Sequence, residues 1–193
     1  MFPKNHILHM KGLVPKDECR RIIDYFESHP ELHHPGSAGW KTDSKIKKDT
    51  EIGCEFEKYF GPCWISKYLK IAKKEYEKQF FSYFCLQPWD VDFKYKIQRY
   101  YPNEGYFVIH CENSGTADKY DGSRLLAWMI YLNDVSDGGF TEFPDQKKKY
   151  KPRTGDMLVW PAYFTHPHRG ITSKTQTKYI VTGWFNFLTW STE

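Results

Sequence analysis

A chain of 193 residues and 23.0 kDa is the size of one ordinary domain and long enough to bury a substantial core. Fourteen Phe, fourteen Tyr and seven Trp exclude an intrinsically disordered chain, and a net charge of +4 falls short of a dedicated nucleic-acid surface. No apolar run approaches a membrane span, and residues 1–10 carry no apolar export segment, so a cytoplasmic, membrane-free protein is expected. Five cysteines (Cys19, Cys54, Cys63, Cys85, Cys111) with no C-x-x-C spacing read as reduced thiols, not as a disulfide framework or a zinc ribbon.

In chain order, Cys19, Ile22, Ile23 and Phe26 recur at helical spacing over Lys16–Ser28, with Pro15 ahead and Pro30 behind as start and stop. The stretch His33–Lys48, with Pro35, Gly36 and Gly39, reads as an exposed loop. A second helix is predicted from Pro62 to about Phe80, with Trp64, Ile65, Tyr68, Leu69, Ala72 and Tyr76 on one face. From about residue 90 the pattern changes to short β-rich runs near Asp92–Tyr101, Tyr106–Cys111, Arg124–Asn133, Phe140–Phe143, Lys149–Lys151, Met157–Trp160 and Lys178–Phe187. Short strands at even spacing without intervening helices predict a mainly β, antiparallel jelly roll, one sheet of which the N-terminal helices cover. We expect one domain over 1–193, with 1–90 as mostly helical support and 91–190 as the jelly-roll core.

Three features carry chemistry. If Tyr106–Glu112 is a strand, alternation puts His110 and Glu112 on one face and Ile109 and Cys111 on the other; a strand end emerging into solvent would read the same way. Thr165-His166-Pro167-His168-Arg169-Gly170 offers a third ligand from a distant strand, or a surface turn. Two histidines and one carboxylate leave coordination positions open, the arrangement of non-haem Fe(II) oxygenases, whereas a closed zinc site wants a fourth ligand. Lys178 shares a face with Ile180, Thr182 and Trp184, so it either reaches solvent at the strand mouth or meets an anion inside.

Over about Tyr95–Phe187 the chain resembles the prolyl 4-hydroxylase-like branch of the Fe(II)/2-oxoglutarate-dependent dioxygenases, and is most similar to small phage-encoded members. The resemblance lies in Tyr100-Tyr101-Pro102 and Gly105-Tyr106 before His110-Cys111-Glu112; in Tyr131-Leu132-Asn133, Gly138-Gly139 and Phe143-Pro144; and in Gly155–Pro161, His168-Arg169-Gly170 and Lys178. It implies His110, Glu112 and His168 as iron ligands. Lys178, helped by the Tyr131 hydroxyl and walled by Tyr100, would bind the distal carboxylate of 2-oxoglutarate. His166 is the alternative distal ligand or a partner of the ligand, and Arg124, on the opposite face of its strand, a structural or substrate-rim residue. Glu112 stands where the family usually has Asp, one methylene shorter. The resemblance further implies O2 as cosubstrate, ascorbate as reductant and hydroxylation of a prolyl residue in a peptide. A free amino acid, another small molecule or nucleic acid is the alternative substrate, and a catalytically silent binding module the alternative function. Solvated helix and loop faces explain the lysine runs (Lys45–Lys48, Lys67–Lys78, Lys147–Lys151) better than nucleic acid does. The loop His33–Lys48 and the segment Asn113–Gly122 are candidate lids, with His29, His33 and His34 solvated, and Cys111 is expected to pack in the core. The compartment would be a host cytoplasm for a phage-encoded chain.

Overall fold

The computed structural model describes residues 5–38, 42–55, 63–80, 87–113 and 122–188. Among these residues two α-helices, α1 (Lys16–Ser28) and α2 (Ser66–Phe80), accompany twelve strands: β1 (Leu8–Met10), β2 (His34–Pro35), β3 (Lys47–Lys48), β4 (Thr50–Glu55), β5 (Trp89–Tyr100), β6 (Gly105–Tyr106), β7 (Arg124–Tyr131), β8 (Thr141–Phe143), β9 (Lys148–Tyr150), β10 (Met157–Pro161), β11 (Arg169–Gly170) and β12 (Lys178–Phe187). Pro15 opens α1, and the acidic side chains of Asp17 and Glu18 face the positive end of the helix dipole in the first turn. Its last carbonyls are satisfied by imidazoles: His29 donates to the Tyr25 carbonyl at 2.7 Å and His33 to that of Phe26 at 2.9 Å.

The strands form a jelly roll. Its large sheet has the order β1-β10-β7-β12-β5-β4-β2 with every pairing antiparallel, and it is faced by a three-stranded sheet, β11-β8-β9, and a ribbon, β3-β6. Alternation divides the large sheet into two faces. Ile97 of β5, Trp128 and Ile130 of β7 and Val181 and Phe185 of β12 join Cys19, Ile22 and Phe26 of α1 and Leu69, Ala72 and Tyr76 of α2 in the main core. Ala127, Met129, Tyr131, Leu158, Trp160 and Ile180 line the other face, with Phe143 of the small sheet packed against them. The helices therefore cover one face only, as the sequence predicts, and the other encloses a cavity of about 950 Å³.

The described part of the first ninety residues contributes β1 to β4 besides the helices. In β4, Ile52 and Cys54 join the helix-face core while Gly53 and Glu55 line the cavity and Glu51 shares their side of the strand beneath Lys47, an alternation hidden by the acids and the glycine. The predicted strand Tyr106–Cys111 is a correction: only Gly105–Tyr106 pairs as a ribbon, and His110 meets His168 in a lone bridge. Beyond it the amides of Glu112 and Asn113 both turn to the Ala162 carbonyl, at 3.0 and 2.8 Å, which draws the chain off any ladder. The expected exposed loop His33–Lys48 is partly paired: His34–Pro35 lies on the sheet edge, and Lys47 is buried rather than on a solvated face, held by Glu51 at 2.8 Å and Asp49 at 3.2 Å. Residues 39–41 of that loop, and 114–121 of the segment Asn113–Gly122, lie outside the described residues. No helix among the described residues is long and apolar enough to cross a membrane.

Candidate metal centre

His110 and His168 exchange backbone hydrogen bonds, N–H to O at 2.9 and 2.8 Å, so this bridge, not strand alternation, brings the two histidines together. Both rings are oriented by main-chain acceptors. His110 Nδ1 donates to the Val108 carbonyl at 3.0 Å, and His168 Nδ1 donates to that of His166 at 3.0 Å. A carbonyl only accepts, so each Nδ1 carries the proton and each Nε2 is left as a lone-pair donor. Both Nε2 atoms face one oxygen, Glu112 Oε1, at 3.6 and 3.3 Å, and the three ligand atoms all lie within 4.8 Å of one another. Tyr106 stacks on His110 at 3.5 Å between centroids, and Trp160 and Phe143 pack around His168 at 5.0 and 5.4 Å.

The electrostatics suit a cation. Burial alone would raise the Glu112 carboxyl, yet the proximity of the His110 and His168 imidazoles holds it well below the usual carboxylate range. Burial lowers His168, which favours the neutral, ligating imidazole. Two neutral imidazoles and a carboxylate grouped on one side are a donor set that fits Fe(II). His166, His29 and His33 are used differently. His166 spends both ring nitrogens elsewhere, on Thr165 Oγ1 at 2.9 Å and on the Asn5 carbonyl at 2.8 Å, so it reaches the centre only through its backbone carbonyl. His29 and His33 cap α1. Cys111 is half-buried beside the centre with its thiol donating to the Asn113 carbonyl, and does not pack in the core.

Lys178 lines the same cavity. It is 6% exposed, with Nζ over the Tyr100 ring at 4.8 Å and donating to the Gly139 carbonyl at 3.3 Å. No carboxylate among the described residues lies in ion-pair range of it. Burial draws its pKa down to about 8, against the opposing charge of Asp49. A buried ammonium with one neutral acceptor is a cradle for an anion. Tyr131 stands behind the cavity wall: its hydroxyl donates to Thr141 Oγ1 at 2.6 Å, and Thr141 itself lines the cavity. Tyr100 donates its hydroxyl to Gln98 Oε1 at 3.0 Å, since Gln98 Nε2 is committed to Glu51 at 3.0 Å. Its ring and its oxygen lone pairs are therefore what it presents to Lys178.

Arg124 turns into the cavity and does not stay on the opposite face of β7. The β12–β7 register shifts between Phe185 and Asn186, opposite the start of β7, which reorients the first residue of that strand. Its guanidinium stacks over Trp184 at 3.8 Å and donates to the Glu112 backbone carbonyl at 2.9 Å. Sequence reading did not assign roles to Thr141 or Trp184. For Trp184 the signal was present, because it shares the face of Lys178; Thr141 becomes visible only when the small sheet folds over.

A family model described as the 2OG-Fe(II) oxygenase superfamily matches residues 95–186. A protein of Acanthamoeba polyphaga mimivirus with a provisional prolyl 4-hydroxylase name is 27% identical over 200 residues, spanning 95% of this chain and 75% of that protein. The viral collagen prolyl hydroxylase of Paramecium Bursaria Chlorella virus-1, solved with 2OG, superposes with a TM-score of 0.69 at 18% identity, covering 95% of this chain and 97% of that one. A Trichoplax adhaerens prolyl hydroxylase, solved with a hypoxia inducible factor peptide fragment, gives 0.69 at 15% identity, covering 95% and 84%.

Proposed function

We propose that this chain, which belongs to the 2OG-Fe(II) oxygenase superfamily, hydroxylates prolyl residues in a peptide or protein. The observation that carries the reading is the pairing, within one cavity, of the His-Glu-His cluster with the buried ammonium of Lys178. His110 Nε2, Glu112 Oε1 and His168 Nε2 would hold Fe(II), and Lys178 with the Thr141 hydroxyl would take the distal carboxylate of 2-oxoglutarate. Bound there with 2-oxoglutarate and O2, the metal supplies the oxidising chemistry of the superfamily, in which decarboxylation to succinate accompanies hydroxylation of a substrate carbon.

The protein's part is to bind, orient and exclude water. The His168 ring is fixed by its hydrogen bond to the His166 carbonyl and by edge contacts from Trp160. The ion pair at Lys178 would form in a pocket walled by Tyr100, Ile180 and Met129, where low polarity strengthens it. Tyr131 donates to Thr141, whose own proton points to the weak acceptor Met129 Sδ at 3.7 Å, a bond that a carboxylate oxygen would displace. A prolyl peptide is supported as substrate class by the printed names of the mimivirus and chlorovirus relatives and by the peptide bound to the Trichoplax enzyme. Ascorbate is the expected reductant.

The test is succinate formation from 2-oxoglutarate with Fe(II), ascorbate and O2, with and without proline-rich peptides, and mass spectrometry of the peptides. Stimulation by peptide together with a gain of one oxygen atom on proline is expected. Turnover that no peptide stimulates would overturn the prolyl assignment, and no turnover at all would overturn the oxygenase reading. His168→Ala should abolish turnover and His166→Ala should keep it within about tenfold of wild type; the reverse order would reassign the distal ligand.

A further inference from the structure

We propose that Trp184 is a positioning residue for the Glu112 carboxylate, and that it is what allows a glutamate to serve in this cluster. The inference rests on the reading of His110, Glu112 and His168 as metal ligands. Trp184 Nε1 donates to Glu112 Oε2 at 3.0 Å, on the carboxylate oxygen opposite the one that faces both imidazoles. An indole N–H is a donor only and cannot compete as a ligand. It therefore fixes one oxygen and leaves Oε1 aimed at His110 and His168.

The placement of Trp184 is built into the sheet. The β12–β5 register slips by two residues between Gly183 and Phe185, so Trp184 has no partner on β5, while it stays in register with Ala127 of β7. Such irregularities re-aim side chains beside functional sites. Next to it, a Cβ on Gly183 would lie 2.6 Å from the Trp128 ring, so only glycine lets that ring cross β12. Trp128 Nε1 in turn donates to the Trp184 carbonyl at 3.3 Å. On the cavity side the Arg124 guanidinium lies 3.8 Å over the Trp184 ring and binds the Glu112 carbonyl. One stacked pair thus grips Glu112 at both main chain and side chain.

The physical need follows from the extra methylene. A glutamate has one more rotatable bond than an aspartate, and ordering it costs rotamer freedom that metal binding would otherwise have to supply. The indole bond orders the carboxylate before a cation arrives, and groups that orient a ligand in this way are typically worth about 10–100-fold in metal affinity.

The test is calorimetric titration of the full chain with Mn(II) alone, which avoids oxidation and needs no turnover. Trp184→Phe keeps a ring under Arg124 and removes the N–H; its Mn(II) affinity should fall by about tenfold or more, with the melting temperature unchanged. Glu112→Asp withdraws the carboxylate from the indole, so Trp184→Phe added in that background should cost nothing further. Equal affinities of wild type and Trp184→Phe would overturn the proposal, as would the same loss in both backgrounds. Should Trp184→Phe fail to fold, replacement of Trp184 by 3-benzothienylalanine keeps the ring size and removes only the N–H. Unaltered affinity there is equally fatal. A wild-type chain that binds no Mn(II) would instead overturn the ligand reading on which the proposal depends.

Discussion

On β12, Tyr179, Val181 and Phe185 point to the helices, whereas Lys178, Ile180 and Trp184 point to the cavity. The same division runs along β5, where Tyr95 and Ile97 are core and Lys96, Gln98 and Tyr100 line the cavity. One face is closed by apolar side chains from α1 and α2, and its burial holds the fold together. The other keeps charged groups out of water around an open space. Among the described residues Lys178 has only a carbonyl and a ring, and Glu51 needs Lys47, Lys96 and Gln98 together to be accommodated. The lesson is that the strands serve two ends through alternate residues, and that the cavity face is tolerated because the helix face supplies stability.

Three substitutions would break or sharpen that contrast. Phe26→Ala removes a fully buried ring of the helix face and should destabilise the fold by about 3–5 kcal/mol, read by denaturant unfolding, while the KM for 2-oxoglutarate of the folded fraction stays at the wild-type value. A shifted KM would show that the faces are coupled.

Lys178→Met should do the opposite, raising the KM for 2-oxoglutarate on the order of a hundredfold with stability unchanged or improved, since an incompletely compensated buried cation is removed. The pH dependence should separate the two roles of this lysine. Its folded pKa of about 8 lies below the ordinary 10.5, so unfolding takes up a proton between those values, and the ligand-free protein should gain stability as pH rises through that window. Binding of the carboxylate needs the charged form, so the KM for 2-oxoglutarate should climb above about pH 8. Neither trend should survive in Lys178→Met; persistence of both would place the titrating group elsewhere.

The smallest effect is expected from Glu27→Gln on the outer rim of the helix face. Glu27 binds Arg99 at 2.8 Å and Tyr179 at 2.8 Å but is 43% exposed, so its loss should cost less than about 1 kcal/mol in urea unfolding. A larger cost would mean that the boundary between helix and sheet is held by charge as much as by apolar packing.

Much of this architecture was legible beforehand. The periodicity of α1 gave its buried Cys19, Ile22 and Phe26, and the run Lys178–Phe187 gave β12 with its bounds and its two faces. β4 was not legible, because Glu51, Gly53 and Glu55 occupy the side of the strand turned from the helices, and in a sequence they look like a solvated turn. Lys47 was misread for the same reason: a lysine's identity does not report the acids that Asp49 and Glu51 bring to it.

The sequence by itself determined the two helices, most strands from β5 onward, the two faces of β12, and the residue kinds from which a metal and a dicarboxylate could be bound. These follow from backbone period and side-chain chemistry, which are local. Only the tertiary structure decided that His110 meets His168 across a single bridge, that His166 is turned away to Asn5, and that Trp184 and Arg124 grip Glu112. Those outcomes depend on register slips and on which distant backbone groups satisfy one another, and both are settled when the two sheets close over the cavity.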